Sequence, residues 1–273
     1  MRHIPPRNYH EFLDVPVYGT LKVSPSSSKR LNQLEALDFA KEQKGWLQSA
    51  GQALAIQLAF YETDQTRSAY ELWNKSHHEQ RTSTMSVKIK NDGSFGVQVK
   101  YVVFFAELED NNQSDSLVAD GLAENNCGRP LIKPINHPVV RDLIARARAS
   151  GRTVPALADR TITLSSNEKY SELSHETHPR VVALFGNQKL PALQADYFNR
   201  RFADGALIWD RPGQRLHLHD TPVEKLEALL KDGKSALVQC VGLNMANIAN
   251  ISAEEGFDSR SLNAPGYARA VLN

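Results

Sequence analysis

Four of the nine histidines fall in two tight clusters, Ser174-His175-Glu176-Thr177-His178 and Leu216-His217-Leu218-His219-Asp220. Imidazole nitrogens and carboxylate oxygens are the donors that hold zinc, manganese or iron. On a strand, alternation puts His217 and His219 on one face, about 7 Å apart at Cα, with Asp220 following. That set is a candidate metal site. His175 and His178 are three residues apart and share a helix face if that segment is helical. All four histidines are thus candidate catalytic residues for a metal-dependent or phosphoester-cleaving hydrolase. The spacing does not give His-Glu-x-x-His, and no further Asp-His follows the second cluster.

His175-Glu176-Thr177 and His219-Asp220-Thr221 also share the form His-x-Thr. Two-histidine phosphoesterases use a pair of such motifs, with the histidines exchanging protons and the hydroxyls holding phosphate. Here the middle residues are acidic where apolar ones are wanted, and Thr221 reads as a helix cap. That family is not claimed, and no other known family is matched by enough residues to name.

A third constellation is cationic. On a helix opening at Pro138, Arg141, Arg148 and Arg152 lie at spacings of seven and four and share a face. Lys88, Lys90 and Lys100 fall on the polar side of a hairpin, Arg200-Arg201 follow Tyr197-Phe198, and Ser26-Ser27-Ser28-Lys29-Arg30 adds a basic arm. Together they make a candidate surface for a phosphate backbone. This nucleic-acid reading is preferred because it needs only surface features. The alternatives are the hydrolase and a non-catalytic protein-interaction module with residues 107–136 and the N-terminal arm facing the partner. The sequence names no cofactor. It lacks both common glycine-rich nucleotide loops and the Gly-x-Ser-x-Gly elbow.

The elements that must position these residues are legible in part. Met85, Val87 and Ile89 alternate with polar residues. Asn91-Asp92-Gly93 follows, and alternation resumes from Phe95 to Phe105. This predicts a hairpin over 85–105, with the Lys88/Lys90 end washed by solvent on one side. Arg30–Ala50 reads as helical, and Ala53–Tyr61 as a buried strand. Residues 107–136 read as a surface loop with one short helical turn. Val140, Leu143, Ile144 and Ala147 form the apolar stripe of a helix ended by Gly151. Thr161–Leu164 reads as a strand and 167–203 as largely helical. A second hairpin pairs Ala206–Trp209 with Arg215–His219. Thr221 to Glu224 reads as a capping box opening a helix that Gly233 stops, and Ala236–Val241 is a strand. Trp46, Trp73 and Trp209 are expected in or near the core, and Tyr70, Trp73 and His77 on one buried helical stripe.

The expected class is α+β, with two antiparallel hairpin-based sheets packed with amphipathic helices. The expected organisation is an extended arm over 1–30, an N-terminal α+β region over 31–136 and a C-terminal α+β region over 137–273. With 273 residues there is chain enough for a sizeable core. Lys plus Arg number 32 against 31 Asp plus Glu, so no global field draws the protein to nucleic acid or an anionic membrane. No apolar run reaches membrane-spanning length and the first residues do not read as a secretory signal. The two cysteines, Cys127 and Cys240, exclude a disulfide scaffold. A cytoplasmic protein without membrane partners is expected.

Overall fold

The computed structural model describes residues 11–62, 79–96, 98–118, 131–158, 161–165, 178–193, 215–244, 249–253 and 267–272. Two sheets organise them. The first has the order β1-β2-β12-β3. Its strands are β1 (Glu11–Val15), β2 (Gly19–Val23), β3 (Gly45–Leu47) and β12 (Ala270–Leu272). Part of the expected N-terminal arm is therefore a hairpin with Leu13, Val15 and Val23 in the core. Ser24 and Ser27 do not dangle. Their hydroxyl oxygens accept the backbone N–H groups of Ala270 and Ala268 at 2.9 and 3.0 Å.

The second sheet is built on β4 (Glu79–Lys90), β5 (Tyr101–Glu107) and β10 (Ser235–Asn244). β7 (Thr153–Pro155) flanks β5. Beyond β10 come β11 (Ala249–Ala253), β9 (Arg215–His219) and β8 (Thr161–Ser165), while β6 (Leu131–Pro134) pairs with the start of β10. β9 and β11 run parallel, so this sheet is mixed where an antiparallel one was expected. β9 is paired with β8 on one side and β11 on the other. The expected hairpin partner, 206–209, lies outside the described residues, as do Tyr70, Trp73, His77, Trp209 and Cys127.

The expected β4–β5 hairpin forms, but β5 starts at Tyr101 rather than Phe95. Gly93 and Gly96 take φ of 89° and 69°, which breaks the extended run. Phe95 is turned back onto Phe104, edge to face at 5.2 Å between centroids.

The helices are α1 (Gln33–Glu42), α2 (Ala50–Glu62), α3 (Asn111–Val118), α4 (Pro138–Ala149), α5 (Pro179–Phe185) and α6 (Val223–Leu229). α2 replaces the strand expected at 53–61. A capping box starts it: Ser49 N–H donates to Gln52 Oε1 at 2.9 Å, and Gln52 N–H to Ser49 Oγ at 3.1 Å. The helix is apolar all round because it lies in the core, so its sequence shows no 3.6-residue period.

β4 separates two apolar layers. Met85, Val87, Ile89, Val102 and Phe104 face α1 and α4. Val103 and Phe105, on the opposite face, join α2 and α5. Lys88, Ser86 and Gln239 share that second face, since Lys88 is opposite Val103 and Leu237, and Ser86 is opposite Phe105 and Gln239. Between Cys240 and Gly242 the β4–β10 register shifts. There Ser83 turns to the other sheet, donating to Gln48 O and accepting from Leu108 N–H.

Candidate functional site

The structure separates the sequence-predicted residues into a buried polar centre and an exposed groove. The centre begins with Lys88. Its side chain is fully buried, which corrects the expectation of a solvent-washed lysine. Nζ lies 2.6 Å from Asp220 Oδ1 and also donates to Gln239 Oε1. Arg180, on the first turn of α5, donates through Nη2 to Asp220 Oδ2. Thr221 N–H donates to Asp220 Oδ1 at 2.8 Å. The Thr221 hydroxyl is not the expected helix cap. It is bonded to Gln239, whose Nε2 donates to it at 2.9 Å, and α6 starts after Pro222 without a side-chain cap.

Burial alone would raise the Asp220 carboxyl. Arg180 and Lys88 outweigh it and hold Asp220 below the usual carboxylate range. The two histidine-bearing segments therefore do approach one another, through Arg180 and Asp220. However, both Asp220 oxygens are committed to cationic donors, which removes Asp220 from the predicted metal set. His178 serves as N-cap of α5, with Nδ1 accepting Arg180 N–H at 3.2 Å. Burial, with Arg180 adding, pushes its imidazole below its ordinary value. His175 lies outside the described residues, and so do the side chains of His217 and His219. Among the described residues no group of three or more His, Cys, Asp or Glu is placed to hold a metal.

Arg152 is also interior rather than part of the predicted cationic face. Gly151, at φ 68°, turns the chain after α4, so the α4 spacing no longer governs its direction. Its Nη1 contacts both Glu107 oxygens at 2.6 and 2.7 Å, while Nε and Nη2 each donate at 2.7 Å to Ala183 O and Leu184 O. One guanidinium thus binds a carboxylate and satisfies carbonyls at the end of α5, which have no partner inside the helix. Lys100 is exposed but paired with Glu227. Arg200 and Arg201 lie outside the described residues.

What remains of the predicted basic surface is a groove along α4 of about 590 Å³. Arg141 and Arg148 line it over a floor that includes Phe95, Ile135, Pro138 and Ile144. Both arginines are exposed. Arg148 lies 4.9 Å from the Phe95 ring centroid. The groove's carboxylate, Asp142, is bonded to Arg146, whose Nε donates to it at 2.9 Å. Lys90 lies on the opposite face of β4 from α4, so it belongs to another surface. Phe95 was missed as a site residue because its alternation reads as strand; the two nearby glycines were the available signal.

Trp46, expected in the core, is 42% exposed on β3. It borders a smaller groove of about 240 Å³ lined by Lys41, Glu109, Asp110 and Asn112 among others. No helix among the described residues is long and apolar enough to cross a membrane.

No family model matches the chain. No curated protein matches it either. A solved structure described as "Accommodation of massive sequence variation in Nanoarchaeota by the C-type lectin fold" aligns with 90% of this chain and 98% of its own, at a TM-score of 0.50 and 11% identity. The fold is C-type lectin-like. Within this α+β C-type lectin-like fold, the buried centre lies on the α2/α5 side of the large sheet and the arginine groove on the α4 side.

Proposed function

We propose that the protein binds nucleic acid non-catalytically through the groove on α4. The observation that carries this reading is the pairing of two exposed, un-neutralised guanidinium groups, Arg141 and Arg148, over an apolar floor. Seven residues along a helix separate them by about 10 Å, so they can engage different phosphates of one backbone. Asp142 does not cancel them, because Arg146 already holds it. The footprint is smaller than the sequence suggested, since Lys88 and Arg152 face inward and Lys100 is paired. Affinity should accordingly be modest and salt-dependent. The test is anisotropy of a labelled oligonucleotide over a range of salt. The double variant R141Q/R148Q should lower the salt slope by about 1.5 log units, from roughly 0.7 to 0.9 for each phosphate contact. No binding at low salt, or a slope unchanged in the double variant, overturns the proposal.

A further inference from the structure

We infer that the strand this groove holds is single, with one unpaired base lying on the outer face of Arg148 and a phosphate on Arg141. The inference rests on the nucleic-acid reading above and narrows it.

Its basis is a stack rooted in the sheet. Phe104 is fully buried on β5. Phe95 meets it edge to face, with 70° between the ring planes. Arg148 then lies over Phe95. An arginine side chain on a helix surface ordinarily samples many rotamers. Here one face of the guanidinium is laid on a ring that the core itself holds. Only its other face is left for a ligand, and no carboxylate claims it. Guanidinium planes stack on unpaired bases, and base stacking on such platforms tolerates any sequence. The apolar floor of Ile135, Pro138 and Ile144 favours a flat ring over a hydrated phosphate at this end. Arg141, about two turns toward the N-terminus of α4, lacks a ring beneath it among the contacts described and suits a phosphate as a point of charge. In a duplex the base faces are covered by neighbouring bases, so a duplex reaches the two charges but not the stack.

The test compares a short labelled oligothymidine, an abasic strand of equal length and charge, and the matching duplex. Wild type should bind oligothymidine about tenfold or more tighter than the abasic strand, the scale of one stacked base. R148K keeps the charge and loses the plane. It should bring oligothymidine binding down to the abasic level and leave abasic binding unchanged. The residue is exposed, so a far-ultraviolet spectrum and melting curve matching wild type confirm that the variant is folded. If R148K binds oligothymidine as wild type does, or if duplex and strand bind equally, the single-strand inference falls while a salt-dependent, Arg141-dependent affinity leaves the broader proposal standing. If none of the three ligands binds, both fall.

Discussion

Asp220 on the chain just past β9 receives Lys88 from the centre of β4 at 2.6 Å, and neither side chain reaches solvent. Arg180 approaches the same carboxylate from α5. One acid thereby ties together a strand, a helix and a loop that are far apart in sequence.

Removing that acid should be severe. Asp220→Ala leaves Lys88 and Arg180 as buried cations without their shared carboxylate, and breaking such an arrangement costs about 3 to 5 kcal/mol. Lys88→Met should cost less, because Arg180 still faces Asp220. Urea unfolding of the two variants measures the order. Equal, small losses would show that the carboxylate is not the centre of the network.

Acid should act through the same group. The folded-state pKa of Asp220 is depressed, so its contribution is fully present above the unfolded value near 3.9 and is lost as pH falls through the lower folded value. His178 is also depressed, which adds stability above its unfolded value near 6.5 that declines as pH drops toward the folded one. Urea midpoints measured from neutral to strongly acid pH should therefore fall in two stages. The lower stage should flatten in Asp220→Asn and the upper one in His178→Gln. A curve unchanged in both variants would contradict the assignment.

Arg152→Lys should destabilise the protein by about 2 kcal/mol, although it conserves charge. A lysine cannot place donors on Glu107 and on the Ala183 and Leu184 carbonyls together, and bonds to charged groups contribute roughly 1.5 to 3 kcal/mol. Hydrogen exchange should localise the loss to residues 179–185. Uniform loosening, or none, would count against the clamp.

Val17 offers a gain. Tyr18 N–H donates to Val15 O across Pro16 and Val17, and Val17 holds φ at 75°. A β-branched residue is strained there, whereas glycine is at ease. The side chain is exposed, so little packing is lost. Val17→Gly should raise stability by about 1 kcal/mol, read as a higher urea midpoint. A lower midpoint would mean that the turn is not held in the left-handed region.

The sequence was legible where local pattern and environment agree. The α4 stripe faces the core as its spacing required, and β4 alternates as Met85, Val87 and Ile89 indicated. It misled where burial is two-sided. α2 lost its period because the core surrounds it, and Lys88 looked exposed because its partner Asp220 is distant in the chain. Arg152 followed the α4 count on paper, but one left-handed glycine redirected it. The arginine groove was half visible: Arg141 and Arg148 share a face by spacing alone, while Phe95 joins them only through the fold of its loop. The C-type lectin-like architecture could not be read at all, because strand order is set by pairings such as β2 with β12 that no local pattern records.

That last pairing has a consequence during synthesis. β12 sits between β2 and β3, so the earliest hairpin and the short strand at residue 45 have no bridge between them until residues 270–272 have left the ribosome. The small sheet must be the last part to close, and a nascent chain stalled short of that strand would present its β2 edge to any chaperone waiting at the exit.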